Sequence, residues 1–247
     1  SSESYELVRK DGVITVRGGR QGVLYGAYRL LALLACGRSL PEGVQKPFYP
    51  LRMLNHWDNM DGGVERGYAG HSLFFRNNRV FFDPLRIHRY ARMLSSVGIN
   101  AVSLNNVNVI PPMDLLVTGE ALAEASKIAD ILRLYGIRML LTVDFSLPVR
   151  MGLATADPLN AEVIRFWADR AEEICKVIPD LVGFLVKADS EHRPGPFTYG
   201  RSHDEGANML ARALKPYGGM LFWRCFVYNC RQDWRDSATD RSRAAYD

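Results

Sequence analysis

The sequence predicts an α/β protein whose main part is a (β/α)8 TIM barrel, truncated after about strand five and preceded by the end of a small α+β domain. Two observations predict this fold class. After residue 50, strand-like segments alternate with helix-like segments, which is typical of a parallel sheet with crossover helices. The strand-like segments are also nearly continuous apolar runs, as expected for strands that are buried on both faces.

The first 50 residues are predicted to be the C-terminal part of an N-terminal α+β domain and a linker. YELV (5–8) and VITV (13–16) alternate around Lys10-Asp11-Gly12 and predict a hairpin. Apolar residues recur at helical spacing from Gln21 to Cys36. The segment SLPEGVQKPFYP (39–50) is rich in proline and predicts a linker. We therefore expect two domains, 1–50 and 51–247.

The second part is expected to be the N-terminal portion of the barrel. Its predicted strands are LRMLNHW (51–57), INAVSLNNV (99–107), IRMLLTVDF (137–145), LVGFLVK (181–187) and MLFWRCFVY (220–228), with helices over 84–98, 117–135, 157–178 and 204–214. An open doubly wound sheet is the alternative, but LRMLNHWDNMDGG lacks the glycine-rich phosphate loop of that fold. A complete barrel needs about 250 residues, so we expect the remaining strands to lie beyond this chain.

Composition limits the partners and the compartment. The net charge is +4 without a dense basic run, so charge indicates neither a nucleic-acid nor a membrane partner. No stretch reaches the ~18 apolar residues of a membrane span. The spacing of the four cysteines fits neither a metal site nor a redox pair. We expect no metal and no cofactor, and a cytoplasmic setting with secretion as the alternative.

Candidate functional residues follow the predicted strands, because barrels bind ligands at the carboxyl ends of their strands. Amides, carboxylates and an indole suit a hydroxyl-rich ligand, since amides and carboxylates make paired hydrogen bonds and an indole offers a flat surface for a sugar ring. These residues are Asn55, His56, Trp57, Asp58, Asn59, Asp61, Asn105, Asn106, Asn108, Asp144, Lys187, Asp189, Glu191 and Arg224.

Three charged residues of this set suggest a chemistry. Glu191 could be a carboxylic acid that protonates a leaving oxygen, or a surface residue that caps a turn. Lys187 could pair with Asp189 or bind an anionic ligand. Arg224 lies within the apolar run FWRCFV and must meet a carboxylate of the protein or of a ligand. Lys187 and Arg224 together suggest an acidic substrate.

Four motifs resemble one enzyme family. LNHWDNMDGGVERGYAG (54–70), INAVSLNNVNV (99–109), GFLVKADSEHRPGPFTYGRSHDEGANMLA (183–211) and GMLFWRCFVY (219–228) resemble the xylan α-glucuronidases of glycoside hydrolase family 67, in the same order and spacing. The resemblance implies that Glu191 is the general acid and that Lys187 and Arg224 hold the carboxylate of a uronic acid. It also implies that Trp57 forms the wall of the sugar pocket and that Asn105 and Asn106 line it.

The resemblance further implies that the enzyme removes 4-O-methylglucuronic acid, α-1,2-linked to xylooligosaccharides, with inversion. Glucuronoxylan-derived oligosaccharides are then the partners, and a homodimer of the full-length protein is left open. Inversion needs a second carboxylate about 6.5–9.5 Å from the acid, which the family supplies from later strands. Two positions depart from the family pattern: His192 stands where a glycine is usual, and Asp144 where an asparagine is more frequent.

Two other functions stay open at this stage. A catalytically incomplete half-barrel would only bind uronic acid or act as a scaffold. A barrel glycosidase that cuts neutral sugars is also conceivable, but it gives Lys187 and Arg224 no role.

Overall fold

The chain has a mixed α/β fold with one five-stranded parallel sheet and two antiparallel pairs of strands. The computed structural model describes residues 2–190 and 193–224. In chain order the elements are β1 (Tyr5–Lys10), β2 (Val13–Gly18), α1 (Arg20–Ala35), β3 (Met53–Asn55), β4 (Phe75–Arg76), β5 (Arg79–Val80), α2 (Pro84–Ser96), β6 (Ala101–Ser103), α3 (Gly119–Leu134), β7 (Arg138–Val143), α4 (Leu147–Arg150), α5 (Ala161–Val177), β8 (Gly183–Lys187), α6 (His203–Leu214) and β9 (Met220–Arg224).

The parallel sheet is curled, and its strand order is β3-β6-β7-β8-β9. Side chains alternate between its faces, as in any strand. On β8, Phe184 and Val186 join the large core formed with the helices. Leu185, between them, joins a smaller apolar cluster with Ala101 and Leu140. Among the described residues α2, α3, α5 and α6 all contribute to the large core, whereas a doubly wound sheet would have helices on both faces.

The helices of this part begin at capping residues that the sequence supplies. Asp83 accepts a hydrogen bond from the backbone N–H of Arg86 and precedes Pro84 at the first turn of α2. Asn160 caps α5 in the same way. At the start of α6, Ser202 and Glu205 cap each other's backbone N–H groups. The sequence therefore fixes where the strand-to-helix loops end.

Some predicted boundaries were wrong. The helix expected over 157–178 begins at Ala161, because Asn160 caps it and the Asp157 carboxylate accepts the backbone N–H of Leu159 in a preceding turn. β3 and β6 are three residues each, shorter than predicted. The hairpin of β4 and β5, with Asn77 and Asn78 at positive φ in its turn, was not predicted. Residues 225–228 of the last predicted strand lie outside the described residues.

The predicted N-terminal hairpin and the helix after it are confirmed. Asp11 and Gly12 adopt positive φ at the turn, the combination that closes a tight hairpin. The closest approach to the sheet is at Arg52, whose guanidinium lies 2.9 Å from the Glu3 carboxylate. Asn100 also donates a hydrogen bond to Glu3, at 3.0 Å. This part therefore packs at the amino ends of β3 and β6, away from the carboxyl ends.

Candidate active site

The carboxyl ends of β8 and β9 bring two cations together. Lys187 and Arg224 are partners in the parallel register of these strands, so their side chains project from the same face, with Cα atoms about 5 Å apart. Lys187 is only 3% exposed, and its ammonium donates a hydrogen bond to Oδ1 of Asn108. The carboxyl ends of β8 and β9 therefore place two cationic side chains on one face of the sheet.

Trp57 joins the same site from the opposite edge of the sheet. The guanidinium carbon of Arg224 lies 5.6 Å from the centroid of the Trp57 ring, within the range of a cation–π interaction. Trp57 also packs against the small apolar cluster of the face away from the helices, together with Phe222. The structure thus brings Trp57, Lys187 and Arg224 together, although they are far apart in the sequence.

A buried carboxylate orients the amides behind Lys187. Glu65 is 7% exposed and accepts hydrogen bonds from the amides of Asn106 at 2.7 Å and Asn108 at 3.2 Å. Asn106 also donates to Oδ1 of Asn59 at 2.8 Å. Because the amide nitrogen of Asn108 faces Glu65, its oxygen is left to accept from Lys187. Glu65 therefore sets the orientation of the group that holds Lys187.

Asn105 lies within the sheet instead of at its rim. Its amide nitrogen donates to the backbone oxygen of Thr142 at 3.0 Å, and its amide oxygen accepts the backbone N–H of Thr142 at 2.9 Å. The Thr142 hydroxyl donates to the Asn105 backbone oxygen at 3.0 Å. The side chain of Asn105 is fully buried and continues the ladder between β6 and β7 beyond its last regular pair.

Asp144, at the end of β7, is engaged on both carboxylate oxygens. Arg193 contacts one oxygen at 2.8 Å, and the backbone and hydroxyl of Ser146 donate to the other at 2.9 and 2.8 Å. Asp144 therefore accepts the backbone N–H of Ser146, at the start of the turn that leads into α4. Arg193 also donates its backbone N–H to the Ser190 oxygen at 3.0 Å.

Glu191, the predicted acid, and His192 lie outside the described residues. Their neighbour Asp189 is described: it is 5% exposed, and burial raises the pKa of its carboxyl above the ordinary range, despite hydrogen bonds from the backbone of Phe197 and Thr198. The segment that contains Glu191 in the sequence thus begins at a buried acidic residue.

His56 and Asp58, after β3, form a closed cluster beside Trp57. The ring of His56 contacts Asp58 at 3.3 Å and the Tyr90 hydroxyl, and Ser72 donates to Asp58 at 2.6 Å. Burial opposes ionisation of Asp58, but the hydrogen bonds from His56 and Ser72 outweigh it and lower its pKa. His56 is therefore held by partners on both ring nitrogens.

A cavity of about 420 Å³ opens beside this cluster. Its lining includes Trp57, Glu65, Tyr68 and His71. Across residues 2–190 and 193–224, no group of three His, Cys, Asp or Glu side chains has the arrangement of a metal site. No helix in that part of the chain is long and apolar enough to cross a membrane.

Sequence reasoning missed two residues of this edge. Glu65 lies ten residues beyond the end of β3 and Arg193 six beyond the end of β8, so a search restricted to strand ends passes over both. The only signal for Glu65 was its place in the motif LNHWDNMDGGVERGYAG.

Two comparisons of the sequence with known proteins point to the same protein family. The sequence model of a protein family described as "Glycosyl hydrolase family 67 middle domain" matches residues 37–247. "Probable alpha-glucuronidase A" of Aspergillus fumigatus is 43% identical over 242 residues, which is 97% of this chain and 28% of that protein. "Alpha-glucuronidase A" of Aspergillus tubingensis is 42% identical over 237 residues, 95% of this chain and 28% of that protein. The chain thus spans little more than a quarter of the length of these relatives.

Solved structures show a similar fold at low sequence identity. A family 20 exo-β-N-acetylglucosaminidase of Vibrio harveyi matches with a TM-score of 0.54 and 12% identity, over 90% of this chain and 44% of that one. The chitobiase of Flavobacterium johnsoniae matches with a TM-score of 0.56 and 16% identity, over 90% of this chain and 39% of that one. At such identities the likeness concerns the fold alone.

Proposed function

From the premise that the chain belongs to glycosyl hydrolase family 67, we propose that it is part of an α-glucuronidase. The proposed reaction is the inverting hydrolysis of α-1,2-linked (4-O-methyl)glucuronic acid from xylooligosaccharides derived from glucuronoxylan. The observation that supports it best is the in-register pair Lys187 and Arg224 beside the Trp57 ring.

In this proposal Lys187 and Arg224 bind the carboxylate of the uronic acid. An anion between two adjacent cations relieves their repulsion and gains charge-assisted hydrogen bonds, which are stronger than neutral ones. Trp57 supplies an apolar face against the sugar ring. Asn106 donates a hydrogen bond to Glu65, which also holds Asn108, the acceptor of Lys187, so Asn106 helps to fix the position of Lys187. Asn105 supports the sheet beneath the pocket.

Glu191 is the proposed general acid that protonates the leaving xylose oxygen. It stands four residues after Lys187 in the sequence. Inversion also requires a base that activates water. Asp144 is engaged by Arg193 and Ser146, so we assign the base to a carboxylate beyond this chain.

The fold proposal follows the same premise. We propose that the curled sheet is the first five strands of a (β/α)8 barrel and that residues 1–50 end an N-terminal α+β domain. The cytoplasmic setting, with secretion as the alternative, and the homodimer of the full-length protein stay predictions.

Substrate charge tests the proposed function in the complete enzyme. Hydrolysis of a 4-O-methylglucuronic acid–substituted xylotriose is compared with that of the analogue whose carboxyl is reduced to an alcohol. Lys187→Met should lower kcat/KM on the acidic substrate by about 10–100-fold, since a hydrogen bond to a charged group contributes about 1.5–3 kcal/mol. It should change hydrolysis of the alcohol by less than about 3-fold.

The matched control is Lys127→Met, which removes a surface lysine paired with Glu124 on α3. It should leave both activities unchanged. An equal loss on both substrates with Lys187→Met would contradict a carboxylate clamp and favour a glycosidase for neutral sugars.

A binding or scaffolding role is the second candidate, because β3 and β9 are the outer strands of an open sheet within the described residues. Calorimetric titration of glucuronic acid into the 247-residue chain, with Lys187→Met as control, measures this role. Release of uronic acid by this chain alone would rule out a purely binding role.

A further inference from the structure

A buried histidine begins α6 close to the proposed site. His203 is 3% exposed, and the indole N–H of Trp223 donates to its Nδ1 at 2.9 Å. Because an indole nitrogen only donates, Nδ1 must be the acceptor, and the proton of the neutral ring lies on Nε2. Burial lowers the pKa of His203, although Asp204 opposes the shift, and so favours this neutral form.

The Nε2 of this ring faces a second buried residue. It lies 3.5 Å from Oδ2 of Asp189, an electrostatic contact that does not reach hydrogen-bond geometry. The same oxygen accepts the backbone N–H of Phe197 at 3.0 Å. Phe197 in turn packs edge-on against the His203 ring, with centroids 4.6 Å apart. Trp223, which is half-buried, and the buried His203 and Asp189 therefore form a row of polar groups that runs from β9 across α6 to the chain just beyond β8.

The backbone at Asp189 has an uncommon conformation, and Gly195 packs closely against its side chain. Asp189 has a φ of 49°, a left-handed conformation that is uncommon for a residue with a side chain. A Cβ on Gly195 would lie 2.4 Å from Oδ2 of Asp189, so the returning chain packs directly on the carboxylate and only glycine fits. Gly195 and Phe197 thus both pack on the Asp189 carboxylate.

The row begins next to Arg224 and ends between Lys187 and Glu191 in the sequence, so it adjoins both the proposed carboxylate clamp and the proposed acid. Trp223 immediately precedes Arg224, and Asp189 follows Lys187 by two residues. Glu191 follows Asp189 by two residues in the sequence. Any movement of Asp189 away from His203 would therefore alter the path of the chain between the carboxylate clamp and the proposed acid.

We propose that Asp189 and His203 are positioning residues, which hold the chain at Asp189 and at Gly195–Phe197 against α6 and β9 through the contact of the His203 ring with the Asp189 carboxylate, with Trp223 fixing the tautomer. This inference rests on the proposed function. Neither residue touches the sugar in it. Since the clamp residues bind the substrate before reaction and the acid acts only in the transition state, loss of the pair should lower kcat and leave KM nearly unchanged.

Two substitutions of one residue separate positioning from simple packing. The amide nitrogen of His203→Gln can take the place of Nε2 and keep the contact with Asp189. The amide of His203→Asn reaches only the place of Nδ1, so it keeps a partner for Trp223 and loses the contact with Asp189. In the complete enzyme we expect Asp189→Asn and His203→Asn to lower kcat by about 10-fold or more, with KM within about 2-fold, and His203→Gln to stay within about 3-fold of wild type.

The matched control is His88→Asn, which alters a half-buried histidine on α2 that contacts the Tyr135 hydroxyl, and it should leave kcat unchanged. Equal impairment by His203→Gln and His203→Asn would overturn the proposal, because packing alone would then explain the role of the ring. A rise in KM without a fall in kcat would overturn it as well.

Melting temperatures separate this inference from the proposed function. If the wild-type enzyme releases no uronic acid, the proposed function fails, but the coupling between Asp189 and His203 can still be measured through stability. The double variant Asp189→Asn/His203→Asn should then melt no lower than its less stable single variant, because both remove the same contact. Additive losses would show that Asp189 and His203 act independently and would overturn the pair.

Discussion

The carboxyl ends of β6 and of the β8–β9 pair show how different two polar strand ends can be. Beyond β6, the amide of Asn105 bonds on both sides to Thr142, and that of Asn106 bonds to Asn59 and Glu65. Beyond β8 and at the end of β9, Lys187 and Arg224 place two like charges in register. The first end uses its polar groups to hold the sheet together, and the second presents two cationic side chains on one face. Polar residues after a strand are therefore not equivalent evidence for ligand binding.

The largest effect is expected on the β8 side, at Glu191. Glu191→Gln in the complete enzyme should lower kcat by about 10²–10⁴-fold on a xylose leaving group, since a positioned acid contributes that much. An activated aryl leaving group needs little protonation and should be affected far less. Steady-state kinetics with both substrates measure the difference. Equal losses on the two would contradict the acid role, and no loss would indicate a surface residue.

The next effect concerns stability on the β6 side. Asn105→Ala leaves the backbone N–H and C=O of Thr142 buried without the amide, so the free energy of unfolding should fall by about 2–4 kcal/mol. Asn160→Ala, which removes a surface helix cap, should cost only about 1 kcal/mol. Urea denaturation of the complete enzyme measures both. If Asn105→Ala instead raised KM for the acidic substrate while stability was preserved, Asn105 would bind the ligand, and the end of β6 would serve binding as the β8–β9 end does.

The smallest effect extends the comparison to β3, where Asp58 is held by His56 and Ser72. Its folded pKa is lowered by these hydrogen bonds despite burial, whereas an unfolded aspartate titrates near about 3.9. Between these two pKa values the unfolded chain binds more protons, so stability rises with pH. The contribution of Asp58 is thus complete above about pH 4 and is lost as pH falls through the folded pKa.

Asp58→Asn tests this pH dependence. The difference in urea midpoint between wild type and variant should be largest near neutral pH and should shrink below about pH 4. Urea midpoints are measured from pH 3 to 7, with Asp61→Asn on the exposed turn as the control. A difference that stays constant with pH would mean that Asp58 acts through packing and not through its charge.

The sequence by itself determined the order of the main strands and helices and the family, although not the β4–β5 hairpin. Apolar runs, Pro84 at a helix start and the caps Ser202 and Asn160 are local signals, and they act where they stand in the chain. The long motifs around Trp57 and Lys187 likewise identified the family that the comparisons show. Among the predicted site residues, Arg224 was visible as a cation within an apolar run, Lys187 as a cation at a strand end, and Trp57 as an indole after a strand.

Only the tertiary structure decided which of these residues meet. The register Lys187 to Arg224, the approach of Arg224 to Trp57 and the row from Trp223 through His203 to Asp189 all join segments that are distant in sequence. The same holds for Asn105, a candidate for the pocket wall in the sequence, whose amide continues a β-ladder. Such contacts depend on the curl and register of the sheet, which are set by all the strands packing together, and no local pattern of residues specifies them.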